Sequence, residues 1–177
     1  EMDHVLKRTY FSLETVTGFL RVLSGAEKLV GKDSCAFWHS VYFLDIQGGG
    51  NSQTEMLALF NEVIQEKCGF GIEQCGGESA VYVYLDDAIF TGNRVRRDLE
   101  TWIKEQAPGM ATLHIVSIAL HSGAQYYAGK FISKAATAAG KKIAVKWWAS
   151  IKLEDRKTYS DTSDVLRPTA IPNDATV

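Results

Sequence analysis

No stretch of this sequence is long and apolar enough to cross a membrane as a helix, which takes about 20 consecutive apolar residues. Cysteine is scarce: Cys35, Cys68 and Cys75 are an odd number with no CxxC pair. That argues against a disulfide framework and against a zinc ribbon. Cys68 and Cys75 lie close enough in sequence to close a small loop. The expectation, however, is free, partly buried thiols in a reducing cytoplasm. The four histidines (His4, His39, His114 and His121) show no HExxH or other ligand spacing. No GxSxG elbow and no Gly-Lys-Ser/Thr loop occur, so serine-hydrolase and P-loop chemistry have no support. Charge of one sign is missing too. The net charge of −2 points to neither nucleic acid nor an acidic surface.

What is present is an ordinary globular composition, 46% hydrophobic and 23% charged, in 177 residues, enough for one domain with a sizeable core. The chain begins Glu1-Met2 and ends in the proline-containing stretch LRPTAIPNDATV, so a piece of a longer chain is expected.

Apolar periodicity predicts a helix over residues 10–30, stopped by Gly31, and aromatic and β-branched content predicts a strand over residues 37–46. Gly48-Gly49-Gly50-Asn51 breaks the chain. Ser52 and Glu55 then have the spacing of a capping box, with Ser52 as N-cap of the next helix. Further strands are expected at 80–85, 111–120 and 142–149. The intervening helices begin near Asn93 and Ala124, the second closing at Gly140. The polar segment 151–177 shows no clear element and is set apart from a domain over 1–150.

Strands alternating with helices, two of them apolar almost throughout, imply an α/β fold. A doubly wound, mostly parallel sheet is expected, with helices on both faces and right-handed crossovers. Ligands in such sheets sit at the carboxyl ends of the strands.

One such end reads Leu85-Asp86-Asp87-Ala88-Ile89-Phe90-Thr91-Gly92-Asn93-Arg94. A helix starting at Asn93 presents unpaired N–H groups, Gly92 allows close approach and Thr91 adds a hydroxyl, which together form a phosphate cradle. Two carboxylates beside it would repel a bare anion. They suit sugar hydroxyls, or the magnesium that accompanies a polyphosphate. The plain alternative is a polar strand end followed by a turn and a helix. The glycine run Gly48, Gly49, Gly50, Asn51 and Ser52 has amides that could turn toward a diphosphate, or it is only a flexible turn before a capped helix. Trp147 and Trp148 could stack on a nucleobase, although alternation sends one to each face and core packing accounts for both. His121, at a strand end, could reach a ligand as acid or base or cap the following helix. Arg96 and Arg97 read as a solvated helix face, open to a nucleic-acid contact.

Four apolar residues, two acids, three variable positions and Thr91-Gly92 resemble the phosphoribosyl-diphosphate (PRPP) signature of type I phosphoribosyltransferases. The string looks closest to the uracil-type and pyrimidine-attenuator enzymes. Phe90 stands where these carry tyrosine, and Arg94 where they carry threonine or serine. The resemblance implies that Asp86 and Asp87 hold the ribose 2- and 3-hydroxyls and act as the catalytic pair. It implies too that Thr91, Gly92 and Asn93 bind the 5-phosphate with help from Arg94, and that residues 48–52 form the diphosphate loop. Fewer than forty residues separate that loop from Asp86, leaving little room for the family's catalytic hairpin, and no base-recognising hood is evident. The stretches IQGGGNSQTEML, YVYLDDAIFTGNRVRRDLETWI and KWW resemble instead the divergent phosphoribosyltransferase-like domains of bacterial conflict and antiphage systems, retrons among them. That implies a cytoplasmic effector or sensor binding PRPP or a nucleotide with magnesium, in a complex with a protein or nucleoprotein partner.

Overall fold

The computed structural model describes residues 10–77 and 79–154. Among them are four strands in one all-parallel sheet, ordered β1-β2-β3-β4 as in the sequence, and six α-helices. The strands are β1 (Tyr42–Leu44), β2 (Val81–Ile89), β3 (Met110–His121) and β4 (Lys142–Leu153). The helices are α1 (Leu13–Ser24), α2 (Glu27–Val30), α3 (Ser34–Ser40), α4 (Ser52–Cys68), α5 (Asn93–Glu105) and α6 (Ser122–Ala138).

The sheet has a core on each face. α5 and α6 cover one, burying Leu99, Trp102, Ile103, Ala128 and Ile132 against Tyr84, Leu113 and Ile115. α1 and α4 cover the other, burying Leu20, Phe60 and Ile64 against Val83, Leu85 and Val116. This is the expected α/β sheet with helices on both sides. One connection departs from the expectation of uniform right-handed crossovers. The strand order never reverses, yet α4 lies on the face opposite α5 and α6. The crossover β1-α4-β2 therefore has the hand opposite to the two that follow it, a rarity among parallel connections.

The amino-terminal third differs from the sequence expectation. The helix foreseen over 10–30 breaks after Ser24, where the N–H groups of Gly25 and Ala26 turn back to the Val22 and Leu23 carbonyls. The strand foreseen over 37–46 is mostly helix. Asp33 Oδ1 accepts the Ala36 N–H at 3.0 Å and starts α3, so β1 keeps only three residues. A short aromatic run suits either element, and the cap decides between them. Trp38 turns inward from α3 and donates its indole N–H to the Ser24 carbonyl at 2.8 Å.

That helix also changes the cysteine chemistry. It brings the Cα of Cys35 to 5.5 Å from that of Cys68 at the end of α4, and the two sulfurs are joined in a disulfide. The expectation of two free thiols at Cys68 and Cys75 is corrected for Cys68: only Cys75 remains a thiol, its pKa pushed up to about 11, mainly by burial. A loop closed over a separation of 33 residues is worth about 3–4 kcal/mol by chain entropy. Reduction with dithiothreitol is expected to lower the melting temperature by several degrees, checked by circular dichroism with and without reductant. A Cys35→Ser/Cys68→Ser variant should melt at the reduced value in both.

Three smaller corrections concern later elements. β2 does not stop before the acid pair but runs through it to Ile89. β4 continues past 149 to Leu153. Arg96 is not on a solvated face. It pairs with Glu100 at 3.1 Å and lies over the Phe131 ring at 5.1 Å, fastening α5 to α6. The rest of the polar carboxyl-terminal segment, from residue 155, lies outside the described residues. No helix among the described residues is long and apolar enough to cross a membrane.

Candidate functional site

Inside β2, Asp86 and Asp87 point different ways. They are successive strand residues, whose side chains leave opposite faces of the sheet, and the pairing of β2 with β3 is interrupted at Asp87 and Ile118 with the same register on either side. Asp86 is buried at 3% exposure, while Asp87 is exposed. The Asp86 carboxylate accepts the Asp87 N–H at 3.0 Å and a hydrogen bond from the Ser52 hydroxyl at 2.9 Å. Its pKa is nonetheless pushed up to about 6, because burial outweighs the Ser52 hydrogen bond and the neighbouring Asp87 adds to the rise.

Ser52 does not do what its position predicts. Asn51 is the N-cap of α4, without a side-chain cap, and Ser52 is the first helical residue. Its hydroxyl lies between Asp86 Oδ1 and Gln47 Oε1 (2.9 and 3.2 Å), two acceptors for one proton, and accepts a long hydrogen bond from Arg94 Nη1 at 3.5 Å. The capping box is thus replaced by a contact between the glycine loop and the acid pair.

Two glutamines hold that loop in place. Gln53 is fully buried. Its Oε1 accepts the N–H groups of Ile46 and Gln47 at 2.7 and 2.8 Å, and its Nε2 donates to the Leu85 carbonyl at 3.3 Å, one residue before Asp86. Gln47 Oε1 accepts the Gln53 N–H at 3.2 Å. On the other side Asp98 of α5 accepts the Tyr84 hydroxyl at 3.0 Å and the backbone N–H of Gly48. Sequence reasoning missed Gln47, Gln53, Tyr84 and Asp98. The one available signal was a glutamine in the first turn of α4, and the Ser-Gln-Thr-Glu pattern hid it.

The turn and the helix start at Asn93 form as the sequence predicts. Gly92 is the N-cap of α5 with φ +74°, and a Cβ there would lie 2.8 Å from the Ala124 carbonyl oxygen, so conformation and space both require glycine. The Thr91 hydroxyl accepts the Asn93 N–H at 3.3 Å. Arg94 leans back across the glycine loop, its guanidinium 3.4 Å from where a Gly50 Cβ would be.

One cavity of about 480 Å³ gathers most of these groups: Asn51, Ser52, Asp86, Asp87, Thr91, Gly92 and Arg94 all line it. Gly48 and Gly49 line an adjoining space with Arg94 and Arg97. Asn93 opens α5 beside the first cavity, and His121 lies edge-on to Phe90 with ring centroids 4.9 Å apart. His121 holds the N-cap position of α6 without a side-chain cap. The tryptophans are elsewhere. Trp148 donates its indole N–H to His114 Nδ1 at 2.9 Å and stacks on that ring. Burial, with Lys146 nearby, holds the His114 pKa down to about 4, which leaves the nitrogen free to accept. Trp147 lies on the opposite face of β4, beside α6.

A parallel α/β sheet with an acid pair, a Thr-Gly cradle at a helix start and a glycine loop one βα unit earlier defines a phosphoribosyltransferase-like domain. The chain belongs to the PRTase-CE family, whose model matches residues 1–177. No curated protein and no solved structure matches it.

Proposed function

We propose that the cavity at Asp86 binds a ribose 5-phosphate ligand, PRPP or a nucleotide, and that its chemistry takes place at ribose C1. The observation that carries this reading is the meeting of Asp86, Asp87, Thr91, Gly92 and Arg94 in one cavity. The acid pair receives the ribose hydroxyls, and the amides of Thr91, Gly92 and Asn93 receive the 5-phosphate. Arg94 and the glycine loop face a diphosphate at C1. As the C1–O bond to that diphosphate, or the C1–N bond to a base, breaks, positive charge grows on the ribose ring and the carboxylates stabilise it.

Magnesium on a diphosphate neutralises charge and needs only one or two protein carboxylates. Asp87, the exposed acid in the cavity lining, would hold it. Among the described residues no cluster of three His, Cys, Asp or Glu side chains offers a protein-built site.

Titration calorimetry with PRPP and with nucleotides, each with and without magnesium, tests the proposal. Binding that disappears in Asp87→Ala, whose exposed side chain is not needed for folding, is the expected result. Failure of every ribose phosphate to bind refutes it.

A second reading, a sensor of the same ligand without turnover, is favoured by one observation. Between the glycine loop and β2 the described chain is α4, a short 3-10 turn and coil, with no hairpin. Binding without product in phosphorus NMR selects it. A role in antiphage defence, in the cytoplasm, rests on the resemblance of the three quoted stretches. Lower plating of phage on cells carrying the wild type than on cells carrying Asp87→Ala is the outcome that supports it.

A further inference from the structure

Charge is distributed unevenly along this chain. From Gln106 to Leu153 there are six lysines and not one aspartate or glutamate, in a protein whose net charge is −2. Those residues form β3, α6 and β4, the edge of the sheet farthest from β1. One of the lysines, Lys141, is occupied by the Ile103 carbonyl. Among the described residues no carboxylate pairs with Lys130 or Lys152.

A groove of about 730 Å³ runs between α6 and β4, and Tyr126, Lys130, Trp147 and Lys152 line it with Gln125. Tyr126 is 73% exposed. Trp147 is half-buried against the α5/α6 core and turns its remaining surface to the groove. The β3–β4 register skips Ile118 and Ser150, and this break brings Lys152 to the same face as Trp147. One acid stands at the groove's rim, Glu154, which accepts the hydroxyl of the lining residue Ser122 at 2.9 Å. Aromatic faces flanked by the cations of Lys130 and Lys152 match what single-stranded nucleic acid offers: bases that stack and phosphates that repeat along a strand. A folded acidic protein offers the charge but not the π-faces, and an anionic bilayer is flat where this surface is grooved.

We propose that the α6–β4 groove binds single-stranded nucleic acid, with Trp147 and Tyr126 stacking on bases and Lys130 and Lys152 contacting phosphates. The groove shares no lining residue with the ribose-phosphate cavity, so the two sites can be separated by mutation.

The test is fluorescence anisotropy of the whole chain with labelled single-stranded RNA and DNA of about 12 nucleotides, a length within the usual site size of such grooves. Binding is expected, with log affinity falling against log salt at a slope of about −1.4 for two phosphate contacts. Lys130→Glu/Lys152→Glu should abolish it without changing the melting temperature. Trp147→Ala should weaken it about tenfold, within the range for loss of one stacked base. Trp147→Phe, which keeps a ring for both packing and stacking, should restore most of the loss. Asp87→Ala should bind the oligonucleotide like the wild type, so failure here and failure of the ribose-phosphate reading are distinguishable. Preference between the RNA and DNA arms identifies the sugar. Three results overturn the proposal: no binding of either strand, binding indifferent to Trp147→Ala and displaced equally well by heparin, or binding to anionic vesicles with none to oligonucleotides.

Discussion

Asp86→Asn is expected to give a protein that is more stable than the wild type and that binds its ligand more weakly. The stability half follows from the pKa, raised from 3.8 to about 6 by burial. Between those values the folded state binds more protons than the unfolded state, so stability falls as pH rises through this window. Above it, the buried charge costs on the order of 2–3 kcal/mol. Asparagine removes that cost and keeps an oxygen for the Ser52 hydroxyl. The variant should therefore match the wild type near pH 4, pull ahead through pH 6 and stay ahead, by about 4–10 °C in melting temperature for a domain of this size. Thermal melts across pH check this. A variant less stable than the wild type at neutral pH would mean that the carboxylate is structural. The binding half follows from the loss of a charged acceptor for a ribose hydroxyl, worth about 1.5–3 kcal/mol, or roughly 10- to 150-fold in affinity. Together the two halves describe a residue kept at a cost to the fold.

Arg94→Ala is expected to separate the two ends of the ligand. The Arg94 side chain is exposed, it lies over Gly50, and its hydrogen bond to Ser52 is long, so the fold depends little on it. Its position between the glycine loop and the acid pair places its charge on the diphosphate side as well as near the helix start. Loss of a charge-assisted contact weakens PRPP binding by about 1.5–3 kcal/mol, roughly 10- to 150-fold. Ribose 5-phosphate, which lacks the diphosphate, should lose much less. Calorimetry with both ligands reads the difference. Equal losses would put the arginine on the 5-phosphate instead.

Much of the site was legible because its elements obey local rules. The start of α5 at Asn93 follows from a helical stripe of Val95, Leu99, Trp102 and Ile103 preceded by a glycine, and the structure places it there. The parallel sheet followed from the apolar β3 run. The parts that were not legible depend on contacts distant in sequence. Whether FWHSVYF is strand or helix turns on one capping bond from Asp33 and on room for the Trp38 ring beneath Ser24. Ser52 looks like an N-cap until Asp86, 34 residues away, claims its hydroxyl. Gln53 looks like a surface helix residue until Ile46, Gln47 and Leu85 surround it. The disulfide could not be foreseen while Cys35 was assigned next to a strand, because only α3 sets it opposite the end of α4. The crossover through α4 differs in hand from the two that follow it, and no local feature announces such a difference.

The central claim is that the acid pair and the Thr-Gly cradle hold one ribose phosphate between them. The most direct measurement is a crystal structure of the protein grown with PRPP and magnesium. The account predicts ribose hydroxyls within hydrogen-bond distance of the Asp86 and Asp87 carboxylates and the 5-phosphate on the amides of Thr91, Gly92 and Asn93. A ligand lodged instead in the groove at Trp147, with the cavity at Asp86 holding only solvent, would contradict it.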